Sequence, residues 1–483
     1  MSGRQPIAEP SDRRQLLHTG LGMVGFQAFG FLAGLAVASG LGAVLQGQFQ
    51  LLVSTCVFLA MFCKLGLDQG VSYLLPKIKQ DRPDHVRAVV VYALTSATVL
   101  SAVFGLALSA ASEPLANWVF HLPAFAADLE FLPIMAPSLV LLVMCSSVLR
   151  GLGRSDLRSY AYYWPAGLGF FLLILWFSFG GLELGEAYGA RIGSYLVGAA
   201  IGLVLIARLV HGGAWSPDPQ EIRQLHAFSG LLIIVDLFQY LVEKPLVDLL
   251  FVSSFGSPSD VGIYSVAARI GSVPGLVQSA FVIVMGPTFA RAMARDGRED
   301  AGAYERASTR MAHLTVVLAA ALWLLGDYVL ATIGPEYESG GVLLRVILIG
   351  YVVRGVLGVN LPVLLAAGHT RIVFGLSLAA FGVLLVGGFS LAPDFGALGV
   401  SAATAAAIGT MALLQWVFCC RLVTRTAPRW LFEVAGCTAV AGGVGFLVHT
   451  VAGLEGEIGS WVDASSFCGT YLALMGLRHR GSP

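Results

Sequence analysis

Apolar stretches of about 20 residues recur along this chain from Leu16 to Leu477. A helix of about 20 apolar residues crosses roughly 30 Å of hydrocarbon, whereas a spanning strand needs only about half that number. The repeated length therefore specifies helices, and their recurrence makes crossing the bilayer the business of the whole chain. Composition agrees: 57% of residues are apolar and 12% charged, where a soluble domain carries about 25% charged residues. The 29 basic and 29 acidic residues cancel, so no overall basic field exists to draw in nucleic acid.

Bounding the apolar runs by charges, Gly and Pro places spans near 17–40, 48–67, 87–110, 131–150, 159–180, 186–208, 228–251, 262–289, 307–332, 341–366, 371–392, 397–421, 430–451 and 458–476. Cytoplasmic connections of membrane proteins are enriched in Lys and Arg. With the N-terminus inside, every basic residue falls in or beside an inward segment except Arg191, Lys244, Arg269, Arg345 and Arg354, which lie within spans. The expectation is an all-α polytopic membrane protein of about fourteen transmembrane helices with both termini cytoplasmic. The polar start, MSGRQPIAEPSDRRQ, reads as a cytoplasmic tail before an uncleaved first span. The connections are short, and none is large enough for an extramembrane domain.

A weak repeat runs through the two halves. Gly47 and Phe49 align with Gly262 and Tyr264, and at the same spacing Gly153 aligns with Gly368; Ala187 and Gly189 align with Ala397 and Gly399. An offset of six spans preserves orientation, which implies two parallel six-helix lobes and two further helices. The expected organisation is a tail (1–15), an N-lobe (16–210), a cytoplasmic linker (211–227), a C-lobe (228–422) and helices 13–14 with a short tail (423–483).

A charge at the centre of a spanning helix costs about 2.5–3.5 kcal/mol on insertion scales, so such residues tend to face a cavity or a partner. Arg269, Arg354 and Lys244 are the deep cations of spans seven, eight and ten, and Arg191 lies nearer the end of span six. Arginine suits phosphate because its planar fork binds two oxygens at once. Arg345, close to Glu336 and Glu338, is expected to be paired with them. Span seven also holds Asp236 and Glu243 on one face, Asp248 on another, and Pro245, which favours a kink. Those acids are candidates for gating or ion coupling. The seven cysteines show no CxxC or Cys/His spacing, and no nucleotide-binding, zinc-protease or serine-hydrolase motif is present. Neither a cofactor nor a metal is expected, and the chain reads as a transporter rather than an enzyme.

The stretch VDLLFVSSFGSPSDVGIYSVAARIGSVPGLVQSAFVIVMGPTFAR, with GQFQLLVS, LGLDQGVSYLLPK, LRGLGRSDLRSYA and IGPEYESGGVLLRVILIGY, resembles the polysaccharide and O-antigen flippases of the multidrug/oligosaccharidyl-lipid/polysaccharide exporter superfamily. The likeness runs over most of residues 15–425. It implies two six-helix lobes forming a V, a central cationic cavity, and alternating access that passes an undecaprenyl-pyrophosphate-linked oligosaccharide outward across the bacterial inner membrane. It also implies polysaccharide polymerase or export machinery as partners. By position, Asp248 matches that family's helix-seven Asp, and Arg269 the basic residue after its "YsvA" segment. The competing readings are a multidrug or cation antiporter of the same superfamily, against which Arg269 and Arg354 count, and a lipid II flippase, whose Asn- and Arg-rich second-helix signature is not evident. A membrane-embedded glycan polymerase or ligase would call for a large external loop with Arg or His, and the external loops hold only His121.

Overall fold

The computed structural model describes residues 12–243, 245–296, 301–424, 429–452 and 456–480. Among them all regular structure is helical. The chain divides into two compact units, Met1–Leu237 and Phe238–Pro483.

In the first unit, α1 (Asp12–Cys63) folds at Gly42 into two arms. It is followed by α2 (Leu67–Asp81), α3 (Val86–Ala110), α4 (Leu132–Gly151), α5 (Ser155–Ser178) and α6 (Leu184–Leu209). Its core is aromatic where α1, α4 and α6 meet: Tyr188 is fully buried, with its ring 5.7 Å from Phe49 and 4.9 Å from Phe131. The second unit opens within α7 (Pro219–Glu243) and continues through α8 (Leu246–Phe255), α9 (Pro258–Gly271), α10 (Val273–Asp296) and α11 (Ala301–Ile333). There follow α12 (Gly341–Val356), α13 (Asn360–Ala366), α14 (Thr370–Cys419), α15 (Arg429–Ala452) and α16 (Gly456–Arg480). Helix α14 is bent at Gly396 into two arms. Here Val242 packs with Ala380, Leu384, Ala403, Ala407 and Met411. Eight helices of the described residues are long and apolar enough to cross a membrane, and two of these, holding α1 and α14, are the bent ones.

The two aligned glycines end their helices in the same way. After α4, Gly153 has φ 79° and its N–H bonds the Arg150 carbonyl while the Arg154 N–H bonds Leu149. After α13, Gly368 has φ 78°, its N–H bonds Leu365, and the His369 N–H bonds Leu364. Both are Schellman caps, which need a left-handed residue that only Gly adopts cheaply. The sequence repeat thus has a shared local structure.

Part of the expected 211–227 linker is helical, since α7 begins at Pro219, eight residues into it. Asp218 supplies the reason: its carboxylate accepts from the Gln220 N–H at 2.9 Å, with Pro219 at the first helical position. The rest of the linker lies against the turn between α2 and α3. Arg87 stacks 3.4 Å over Trp215, Ala214 N–H donates to the Asp84 carbonyl, Arg82 pairs with Asp218, His85 with Glu221, and Tyr92 meets His226 at 2.9 Å.

Between α3 and α4, outside the spans, Asp128 is 6% exposed. Burial pushes its carboxyl up to about 6, and the nearby Tyr188 hydroxyl opposes the shift. A folded-state value above the ordinary one means that the folded chain binds the proton more tightly. Stability from this group is therefore full below about pH 4 and lost as pH rises through about 6. Melting temperatures of the purified protein in micelles should fall over that window, and Asp128→Asn should flatten the fall. A separate prediction concerns topology: a reporter after Gly256, Glu338 or Gly456 should read as external, and one after Arg298 or at the C-terminus as cytoplasmic. One reversed sign would break the expected fourteen-span arrangement.

Candidate functional site

In the first unit the candidate cation is Arg191, on α6. Helix α5 beside it is distorted: Ser159–Tyr163 and Pro165–Gly169 are π-helical turns, with Pro165 lacking an N–H. The loosened backbone leaves the Ala166 carbonyl to accept from Arg191 Nη1 at 3.3 Å. The guanidinium carbon lies 4.5 Å from the Phe170 ring centre and 4.9 Å from that of Tyr195. Aromatic faces hold a cation without neutralising it. No carboxylate among the described residues pairs with Arg191, and its Nε is buried with no hydrogen-bond partner.

The second unit treats its polar residues differently, because three of the expected spans are interrupted beside them. Span seven is interrupted at the expected Pro245, whose ψ of 16° is not helical and after which α8 begins at Leu246. Span eight is divided at Ser272, between α9 and α10, and Arg269 is in the last turn of α9. Span ten, expected as one helix over 341–366, breaks at Leu357–Val359, with Arg354 in the last turn before the break. Gly358 sits there at φ 99°, and a Cβ on it would meet the Ser308 hydroxyl at 2.7 Å. Both facts confine this position to glycine.

A break in a spanning helix frees backbone groups that must find partners inside the protein. At Gly358 they do: Trp430 Nε1 donates to the Val356 carbonyl at 2.9 Å, Ser308 accepts from the Val359 N–H, and the Asn360 amide donates to Leu357 and Gly358. Asn360 is itself held by the Tyr304 hydroxyl at 2.6 Å.

The structure joins two of the candidates directly. Arg354 and Glu243 form an ion pair at 2.8 Å, with side chains 19% and 29% exposed. The charge of Arg354, which no acid on its own helix neutralises, is thus balanced from α7. Asp248, 3% exposed, accepts from the Tyr264 hydroxyl at 2.8 Å, and Thr404 Oγ1 lies 3.2 Å from that hydroxyl; the other carboxyl oxygen has no hydrogen-bond partner. Arg269 is half-buried. Asp236 has its backbone in α7, but its side chain, like all of Lys244, lies outside the described residues. Arg345 is paired with Asp327 of α11, not with the expected Glu336 and Glu338, since a neighbouring helix presents the nearer carboxylate. Tyr264, Thr404, Gln278 and Gln415 escaped sequence reasoning; the two glutamines carried a signal, being amides within apolar helices.

The helical framework defines the class. The structure matches "Lipid II flippase MurJ, inward closed conformation" with a TM-score of 0.74 at 11% identity, covering 96% of this chain and 99% of that one. It also matches an inward-facing multidrug resistance MATE family transporter of the MOP superfamily (TM-score 0.63, 14% identity, 87% and 98% covered). A Vibrio cholerae MATE transporter, VcmN, gives a TM-score of 0.57 at 16% identity, with 87% and 98% covered. The fold is that of these polytopic membrane transporters. The chain itself belongs to the polysaccharide biosynthesis protein family, whose model matches residues 16–293. No curated protein matches the chain in sequence.

The ion pair yields a prediction. Removing one partner leaves a poorly solvated charge, whereas removing both does not. Because both side chains keep some exposure, Glu243→Gln or Arg354→Met alone should cost about 2 kcal/mol, discounted from the fully buried case. The double variant should recover much of that in thermal unfolding. Additive losses would show that the two side chains act independently.

Proposed function

We propose that this protein flips an undecaprenyl-pyrophosphate-linked oligosaccharide from the cytoplasmic to the outer leaflet of the bacterial inner membrane by alternating access, in the making of O-antigen, exopolysaccharide or capsule. The observation that carries this reading is Arg191, a cation within a span that aromatic rings and one carbonyl hold and that no carboxylate among the described residues pairs with. Such a group is costly in hydrocarbon and is the natural partner of an anionic ligand. A pyrophosphate would meet it with short, charge-assisted hydrogen bonds from the guanidinium N–H groups to its oxygens. Family membership supports the same direction, and the transporter fold supplies the framework.

The second unit adds its own cations. Arg269 closes the helix before one break, and Arg354 stands before another with Glu243 as a built-in counter-ion. An anion that displaces Glu243 from Arg354 would release an acid at the end of α7, which couples occupancy to the kinked span. Asp248, with one carboxyl oxygen unmet, is the place where a coupling proton or cation would bind, and the undescribed side chains of Lys244 and Asp236 belong to the same span. A multidrug or cation antiporter of the same superfamily is the alternative. That reading calls for an acidic or apolar lining, which an unneutralised Arg191 opposes.

The test is complementation of a strain lacking the gene, with membrane levels confirmed. Arg191→Ala should lower surface polysaccharide export by at least about tenfold, and so should Arg269→Ala and Arg354→Ala. Lys at these sites should restore export only in part, since it keeps the charge but not the planar fork. Full export by Arg191→Ala at normal levels would leave the anionic substrate without its support.

A further inference from the structure

Helix α5 carries two π-helical turns, and each lies beside an arginine. The second, Pro165–Gly169, supplies the Ala166 carbonyl to Arg191. The first, Ser159–Tyr163, follows Arg158, which stands at the start of the span, in the connection expected to face the cytoplasm. Residues five apart on an α-helix point about 140° away from each other. A π-helical turn closes one residue later and brings them to one side. Here the Trp164 N–H bonds the Ser159 carbonyl five residues back, and the Arg158 guanidinium carbon lies 5.0 Å from the centre of the Tyr163 ring. The distorted turn thus seats Arg158 on an aromatic ring that a regular helix would turn away.

The other contacts of Arg158 repeat those of Arg191. Its Nε donates to the Ser146 hydroxyl of α4 at 2.8 Å, a neutral oxygen, as Arg191 Nη1 does to Ala166. No carboxylate among the described residues pairs with Arg158. The chain does supply one close by: Arg154, four residues earlier, is buried and bound through Nε and Nη2 to Asp156 at 3.0 and 2.8 Å. Arg158 is half-buried, its two terminal nitrogens donate to nothing among the described residues, and neither is sealed from solvent. With Nε taken, Nη1 and Nη2 remain as one open fork, which two oxygens of a phosphate group match. Tyr162 stands between the two arginines, with its hydroxyl in the field of both; Asp68, which also reaches it, is engaged by Lys64 at 2.7 Å.

We propose that Arg158 is a second phosphate-binding residue of this unit: it takes the pyrophosphate of the lipid-linked saccharide at the cytoplasmic end of α5, before Arg191 does. This station deepens the proposed function and rests on it. Arg191 docks at Ala166, about two turns farther along α5. Two cations built alike along one span let the anion pass from one guanidinium to the next, with no resident acid to displace at either. The π-helical turns then have a shared purpose, since each holds an arginine by an aromatic ring or a backbone carbonyl without neutralising it.

The test titrates undecaprenyl pyrophosphate against the purified full-length protein, as wild type, Arg158→Gln, Arg158→Lys and Lys79→Gln. Lys79, exposed in the last turn of α2, controls for the loss of one positive charge. Arg158→Gln should weaken binding about tenfold, the worth of one forked, charge-assisted contact. Arg158→Lys should recover part of that loss, because it restores the charge without the fork. Lys79→Gln should change the affinity by less than about twofold, since solvent and salt screen an exposed charge. The same titration with phosphatidylglycerol separates a resident lipid headgroup from the substrate, and Arg158→Gln should leave that affinity unchanged. A loss in Arg158→Gln no larger than in Lys79→Gln would overturn the station by reducing it to diffuse charge. An equal loss for phosphatidylglycerol would overturn it by giving the site to the membrane. In either case, wild-type binding of undecaprenyl pyrophosphate that Arg191→Ala weakens would leave the flippase reading standing. A wild type that does not bind undecaprenyl pyrophosphate would overturn that reading and the station with it.

Discussion

In hydrocarbon every backbone N–H and C=O must be paired within the protein, and the rest of this structure follows from how that demand is met. An unbroken helix meets it automatically. A broken one must import partners, and the imported partners are polar side chains that then stand at membrane depth. Span ten shows the sequence of cause: Gly358 permits the turn, Ser308, Asn360 and Trp430 mend it, and Arg354, Gln278 and Gln415 line the space beside it.

The two units meet the cost of intramembrane charge by different physics. The first holds one arginine against aromatic rings, with a carbonyl from a π-helical turn and no carboxylate among the described residues paired to it. The second pairs Arg354 with Glu243 across two helices and buries Asp248 against a tyrosine hydroxyl. An uncompensated cation is a standing demand for an anion. A compensated one can exchange partners, since an arriving anion and the resident glutamate compete for one guanidinium.

Much of the fold was legible because membrane helices announce themselves by length and apolarity, and because positive-φ glycines such as Gly153 and Gly368 have no cheap substitute. Pro245 marked its break for a covalent reason. Gly358 did not stand out, since its chain carries many glycines and only the packing of Ser308 and Trp430 against it shows which one turns. Arg191 and Arg354 could be picked by cost, but their partners come from other helices, and no single helix's pattern reveals a Glu243 or a Phe170 across the packing. Arg345 illustrates the same limit: proximity in sequence pointed to Glu336 and Glu338, while the folded chain supplies Asp327.

Translocation itself is the most direct measurement. The purified protein is reconstituted into proteoliposomes with oligosaccharide-bearing undecaprenyl pyrophosphate, and the fraction of saccharide accessible to an external glycan-oxidising or glycan-binding reagent is followed with time. The expected result is a protein-dependent change in accessible saccharide that Arg191→Ala slows by about tenfold or more. Equal rates for empty vesicles, wild type and Arg191→Ala, with correctly folded and inserted protein, would contradict the claim that this chain flips a lipid-linked saccharide.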